Sequence, residues 1–301
     1  MDPLDLGPTS HSYISQRLRL HYVDWGNPTA PPLILVHGGR DHCRNWDWVA
    51  RELRSQFHII APDLRGHGDS APSPSGDYSM SAFVYDLAQL IHGQQLAPVR
   101  IVAHSLGGAI ALRYAGIFPA AVKKLVAIEG LGPSPAMIAQ RVEKPVAERM
   151  RAWIEAERSL ASRLPRRYTS IDEALSRMQA ENRHLTHDQA RYLTVHGVAQ
   201  NEDGTFSWKF DNYVRSFSPV DLTAPQTWDL WSQITAPTLL VNGKESWASD
   251  PQVDGRMSHF RDARAVAFEG AGHWVHHDRL DAFVAEARAF LRDDDLPVAC
   301  A

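Results

Sequence analysis

Ala103-His104-Ser105-Leu106-Gly107-Gly108 constrains this chain more than any other stretch, because it joins the apolar run Val99 to Val102 to the small-residue run Ala109 to Ala115. The pattern predicts a strand, a sharp turn with a serine at its apex, and a helix that begins at once. A serine hydroxyl is a poor nucleophile unless a base reaches it and backbone N–H groups flank the developing oxyanion. The rest of the chain must therefore supply a base, an acid and donors. Such an elbow usually opens on glycine. Ala103 adds one methyl group there, while Gly107 and Gly108 keep the far side of the turn open.

Short apolar runs recur around this turn: Leu33 to His37, Phe57 to Ala61, Val99 to Ala103, Leu125 to Glu129, Thr238 to Asn242 and Arg264 to Phe268. Helical patterns separate them, such as Val84, Leu87, Ala88 and Ile91, or Phe283, Val284, Ala287 and Phe290. This alternation predicts an α/β fold with a mostly parallel central sheet flanked by helices. Ser12 to Gln16 and Arg19 to Trp25 read as an antiparallel pair leading into it.

Residues 131–235 differ in character and are expected to form a mainly helical cap inserted between a first core part, 1–130, and a second, 236–292; residues 293–301 are expected to be a disordered tail. Within the cap, Val146, Met150, Trp153 and Ile154 share one helix face. Ser170-Ile171-Asp172-Glu173 and Thr186-His187-Asp188-Gln189 read as capping boxes opening two further helices. Asp203-Gly204 turns into the alternating Phe206, Trp208 and Phe210, which predicts a short strand or an extended arm. The basic stretch Arg163-Leu164-Pro165-Arg166-Arg167 reads as a solvated face. Most aromatic residues of this segment are expected to hold it together, with Trp153 and Trp208 facing a pocket.

A hydrophobic content of 44%, a charged content of 22% and a net charge of −4 over 301 residues give no electrostatic case for nucleic acid and point to small neutral or mildly polar partners. No membrane segment is expected, since no apolar run approaches the roughly 18 residues a spanning helix needs. The residues from Met1 to Ser10 lack the basic and apolar regions of a signal peptide, so a cytoplasmic location is expected. Cys43 and Cys300 are too few for a disulfide framework or a thiolate metal site and read as free thiols. Oligomeric state is not legible in these patterns.

Two further glycine-rich turns complete the chemistry. His37-Gly38-Gly39-Arg40 follows the first core run, where Gly39 N–H can serve as one oxyanion donor and Leu106 N–H as the other. Gly270-Ala271-Gly272-His273-Trp274 follows the last core run and places His273 on a loop able to reach Ser105 as its general base. Arg40, His104 and Trp274, adjoining these turns, join Trp153 and Trp208 as candidate pocket residues.

Together these residues resemble the α/β-hydrolase superfamily over nearly the whole chain. The resemblance extends to Asp63-Leu64-Arg65-Gly66-His67-Gly68-Asp69-Ser70, which looks like the family's turn after the next strand and is taken as mainly structural. It implies an α/β-hydrolase fold and a Ser-His-acid triad. The acid departs from the commonest family pattern, because Gly243-Lys244-Glu245-Ser246-Trp247 places Ser246 where an aspartate usually stands. A serine cannot hold the charge that stabilises an imidazolium. Glu129, ending the preceding core run in Ile128-Glu129-Gly130, is the favoured acid, as in members that carry their acid after this strand; Glu245 and Asp250 are the alternatives.

The triad implies hydrolysis of small to medium carboxylic esters through an acyl-enzyme on Ser105, without metal or organic cofactor. Lactone hydrolysis and carbon-carbon bond hydrolysis use the same triad and stay open, as does a non-catalytic small-molecule receptor on the same fold. Serine at the elbow argues against the dehalogenase and epoxide hydrolase branches, whose resemblance calls for an aspartate.

Overall fold

The computed structural model describes residues 7–216 and 218–292. The expected tail and Cys300 lie outside them. The chain opens with β1 (Thr9–Ser15) and β2 (Leu18–Asp24), then β3 (Pro32–Val36), α1 (Asp47–Leu53), β4 (His58–Pro62) and α2 (Met80–Gly93). It continues through β5 (Val99–His104), α3 (Leu106–Ile117) and β6 (Val122–Ile128). Next come α4 (Pro135–Glu143), α5 (Val146–Ala161), α6 (Ile171–Glu181), α7 (His187–Gly197), β7 (Val198–Gln200), β8 (Phe206–Trp208) and α8 (Ala224–Gln233). The last elements are β9 (Thr238–Gly243), β10 (Ala263–Phe268), α9 (Val275–Asp278) and α10 (Leu280–Leu291).

Eight strands form one sheet in the order β1-β2-β4-β3-β5-β6-β9-β10. All pairings from β4 to β10 are parallel; β1 pairs antiparallel with β2, and β2 antiparallel with β4. The apolar runs form strands because parallel strands covered on both faces must be apolar throughout; every residue of β5 and β9 is buried. One face packs against α2, α3 and α8 through Phe83, Leu87, Ile110, Tyr114 and Trp231. The other packs against α1 and α10 through Val49, Leu53, Phe283, Val284 and Ala287. With both faces covered, the carboxyl edge of the sheet is where a site can open.

Between β6 and β9 the helices follow the sequence pattern in part. Thr186 and Gln189 form the reciprocal box that opens α7. The Ser170 cap of α6 is one-sided, since Glu173 bonds the Thr169 N–H and hydroxyl instead of closing the box. Asp203 and Gly204 turn β7 into β8 as expected, but the strand ends at Trp208, and Phe210 leaves it to bridge with His67. The predicted apolar face of α5 is half uncovered, with Val146 64% and Ile154 45% exposed but Met150 and Trp153 partly covered, and neither α4 nor α5 has a buried residue. No helix of the described residues is long and apolar enough to cross a membrane.

The glycines of the serine turn are set by contact. A Cβ on Gly107 would lie 2.5 Å from the His37 carbonyl oxygen and 2.6 Å from that of Val36. Both are rigid backbone in or beside β3, so Gly107→Ala is expected to cost about 2 kcal/mol by overpacking, read as a lower urea midpoint at unchanged slope. Gly108 and Gly130 likewise face each other, a Cβ on the first falling 2.5 Å from the Cα of the second.

Six buried histidines, His37, His42, His67, His104, His276 and His277, are held neutral chiefly by burial, with His37 and His277 pushed down to about 3 and His67 to about 4. Unfolding releases such groups to a pKa of about 6.5. Their stabilising contribution is therefore complete above that value and lost as pH falls toward the folded value, by about 1.4 kcal/mol per pH unit for each. Asp41 and Asp278, raised by burial, act in the opposite direction. Among the described residues neither ring nitrogen of His277 has a hydrogen-bond partner, so phenylalanine can replace it without orphaning a bond. Urea unfolding between pH 6.5 and about 4.5 should show a shallower loss of stability in His277→Phe than in the parent, by that single-histidine slope.

Candidate active site

Ser105 sits at the junction of β5 and α3 with φ 50° and ψ −116°, a conformation rarely adopted outside glycine. Its N–H donates to the Ile128 carbonyl at 2.8 Å, which ties the turn to the end of β6. The turn lifts the side chain off the carboxyl edge. There the His273 ring meets it, with Nε2 3.0 Å from Ser105 Oγ.

The other nitrogen of that ring, Nδ1, bonds Glu129 Oε2. Glu129 follows β6 with φ 47°, its N–H donating to the Val241 carbonyl at 2.8 Å. Its carboxylate side chain is fully buried and has two further donors, the Gly243 N–H at 3.0 Å and the Ser246 hydroxyl at 2.6 Å. Oxygen and ring are thus fixed in one line from Glu129 through His273 to Ser105.

Among the described residues, neither Glu245 nor Asp250 hydrogen-bonds or ion-pairs with His273. The Glu245 side chain is exposed and faces His184 at 3.7 Å, and Asp250 accepts the Gln252 N–H at 2.9 Å in its own turn. The sequence shows Ser246 only as a missing aspartate, yet its hydroxyl donates the short hydrogen bond to Glu129. Trp247 is 69% exposed with its ring 5.0 Å from that of His273. The one available signal for both is their place in the loop after β9, next to the expected acid position.

The His273 loop is pinned from beneath. His104 Nε2–H donates to the His273 carbonyl at 2.9 Å, and Gly272 N–H donates to Asp278 at 2.8 Å. Burial, then the neighbouring His273, hold His104 well below the usual histidine pKa, so it stays a neutral donor.

Gly39 lies against the start of α3, where a Cβ on it would fall 3.7 Å from Leu106 Cδ2. The first N–H groups of a helix have no intrahelical acceptor, so Leu106 N–H opens toward this space. Gly38 is pressed closer, a Cβ there reaching within 2.7 Å of His104 Nδ1. His37 anchors the turn, donating Nδ1–H to Gly38 O at 2.6 Å and accepting the Leu64 N–H at 3.0 Å. Asp63 organises the following turn through His21 and the N–H groups of Cys43 and Asp69.

His21, Cys43 and Asp63 are the one group among the described residues close enough to share a metal ion. Their chemistry argues for a closed hydrogen-bond cluster instead. Burial pushes the Cys43 thiol well up, and the Asp63 oxygens already accept three donors.

A cavity of about 1060 Å³ opens over Ser105 and His273. Gly39, Arg40, His104, Leu106, Trp208 and Trp274 line it, as do Tyr168, Met178, Asn182 and Val214 from the segment between β6 and β9. Trp153 does not line it. It faces a separate groove with Arg141, Lys144 and Arg149, because α5 turns its partly covered face that way. Trp208 is held by a hydrogen bond from its Nε1–H to the Tyr168 hydroxyl at 3.0 Å, whereas Trp228 and Trp231 stack on His259 and Phe260 and serve packing.

The family model for the alpha/beta hydrolase fold matches residues 31–280. The chain belongs to the alpha/beta hydrolase family. This hydrolase is 27% identical over 272 residues to the esterase YbfF of Escherichia coli (strain K12), covering 87% of this chain and 93% of that protein. It is 25% identical over 301 residues to epoxide hydrolase 4 of Mus musculus, covering 95% of this chain and 80% of that one. Its fold is also that of the thioesterase domain from the curacin biosynthetic pathway, with a TM-score of 0.81 at 23% identity over 94% of this chain and 100% of the other.

Proposed function

We propose that this alpha/beta hydrolase cleaves carboxylic esters of small to medium size through an acyl-enzyme on Ser105. The observation that carries the reading is the continuous hydrogen-bonded line from Glu129 through His273 to Ser105. His273 Nε2 takes the Ser105 proton as Oγ attacks the ester carbonyl, and the Gly39 and Leu106 N–H groups receive the oxyanion. The imidazolium then protonates the departing alcohol. In the second half His273 deprotonates water as it attacks the acyl group, and the imidazolium then returns that proton to the departing Ser105 Oγ as the acid is released. Glu129 holds the ring with Nδ1 protonated and balances its charge, while no step calls for a metal or organic cofactor.

Ser105 separates this reading from the chemistry named for the mouse relative, since opening an epoxide through a covalent ester calls for a carboxylate nucleophile at the elbow. A lactone is an internal ester and would open by the same steps. The segment 131–235 acts as a cap whose Tyr168, Met178 and Trp208 wall the cavity, which suits compact acyl groups better than polymers.

Nitrophenol release from p-nitrophenyl acetate, butyrate and octanoate tests the proposal against a Ser105→Ala control. Turnover that depends on Ser105 and declines from butyrate to octanoate is the expected result. Binding of these esters with no serine-dependent turnover of any would mark the protein as a receptor on the same fold.

A further inference from the structure

The chain as a whole is acidic, with a net charge of −4, yet the cavity over Ser105 is rich in arginine. Arg40, Arg166, Arg177, Arg183 and Arg215 all line it. Arg177 is paired with Glu181 at 2.5 Å, and Arg166 lies 4.0 Å from Glu173. The lining carboxylates Glu245 and Asp278 face neighbours in the same wall, Glu245 the His184 ring at 3.7 Å and Asp278 the Gly272 N–H, so the arginines outnumber the acids there. Among the described residues, Arg40, Arg183 and Arg215 have neither an ion pair nor a side-chain hydrogen bond.

Two of these three are placed by unusual local structure. Arg40 directly follows Gly39, in the left-handed region at φ 62°, so the turn that aims the Gly39 N–H also sets this arginine. A β-carbon residue in that region is held there by its surroundings at some cost. Arg215 ends the short helical turn Asn212–Arg215, with its guanidinium 5.2 Å from the centre of the Phe210 ring, another cavity wall. Burial, then the charge of Arg40, lowers the Arg215 pKa. Glu181, already engaged by Arg177, opposes this less strongly, so the two cavity guanidiniums repel one another on balance and an anion between them would relieve both.

We infer that the substrate carries a carboxylate, held by Arg40 and Arg215 while its ester carbonyl lies at Ser105. The inference rests on the proposed serine esterase reading and narrows it from neutral esters to half-esters of dicarboxylic acids or esters with an acidic leaving group. Planar guanidiniums suit a carboxylate because each can give it two parallel N–H bonds. Arg215 also borders the groove where Glu148 faces Lys144 at 4.0 Å and Arg141, Arg149 and Arg163 leave a positive excess, which extends the positive field outward and would draw anions toward the cavity mouth.

The test compares kcat/KM for p-nitrophenyl hydrogen adipate and p-nitrophenyl hexanoate, an anionic and a neutral ester of equal chain length. A nitrocarboxyphenyl hexanoate places the carboxylate on the leaving side instead. The expected result is an anionic-to-neutral ratio of about ten or more in one of the two arms, falling at high salt. Arg40→Gln and Arg215→Gln should each lower that ratio about tenfold, and Arg40→Lys should retain part of it. A purely structural role would slow both esters alike and leave the ratio unchanged. A wild-type ratio near one in both arms, or a ratio that neither glutamine variant alters, overturns the inference while leaving the ester reading intact. Absence of Ser105-dependent turnover on every ester overturns the ester reading itself.

Discussion

Ser105→Ala is expected to lower kcat on p-nitrophenyl butyrate by about 10⁴- to 10⁶-fold, the loss seen when the nucleophile of a serine triad is removed. The hydroxyl is the atom His273 Nε2 meets at 3.0 Å, and alanine leaves the ring with nothing to deprotonate except water. The fold should survive the change. Serine and alanine both carry a Cβ, so the strain of φ 50° at the apex is the same in each, and the turn remains tied by the Ser105 N–H to the Ile128 carbonyl. The expected signature is an unchanged melting temperature with no burst of nitrophenol on mixing, whereas the parent shows a burst if deacylation is the slower half. A folded variant that keeps a tenth of the parent activity would remove Ser105 from the mechanism.

The parts of this molecule that the sequence exposed are those where a local rule coincides with a global one. The core strands were legible because strands covered on both faces must be apolar along their whole length, and turn glycines bracket them. Ser105, Glu129 and His273 were legible for a related reason: each ends or follows a core strand, and parallel strands bring such ends to a common edge. Trp153 falls outside the expected pocket because an amphipathic face states that a helix has a partner side without stating which surface lies opposite. In α5 that side is half uncovered and borders the basic groove rather than the cavity. Phe210 continued the alternation of β8, but its bridge to His67 is a long-range choice that periodicity cannot express. The hydroxyl of Ser246 was invisible as a donor, since its acceptor lies 117 residues away on another strand end.

That long-range bond leads to the second large effect. Glu129→Gln is expected to reduce kcat by about 10⁴-fold, as when the acid of a serine triad is made neutral. With its carbonyl oxygen in place of Oε1, glutamine still accepts the Gly243 N–H, and its NH2 replaces Oε2, where the Ser246 hydroxyl need only turn from donor to acceptor, so the site keeps its shape. Its amide would present N–H to His273 Nδ1, leaving the ring proton on Nε2, where it cannot take the Ser105 proton, and no charge would balance the imidazolium. Glu245→Gln should fall far less, because that side chain is exposed and faces His184. Ser246 then offers a sharper discrimination than either single change. In the parent, Ser246→Asp would set a second carboxylate beside Glu129, and two like charges so close cannot both ionise freely. In the Glu129→Gln background the same Ser246→Asp change supplies the missing charge at a position already 2.6 Å from the acid oxygen. Recovery of about tenfold or more in the double variant, with a loss in the single one, is the expected pattern of non-additivity for groups acting on one proton. If Glu129→Gln stays near the parent rate and Glu245→Gln abolishes turnover, the acid belongs to the loop after β9 and the line through Glu129 is structural.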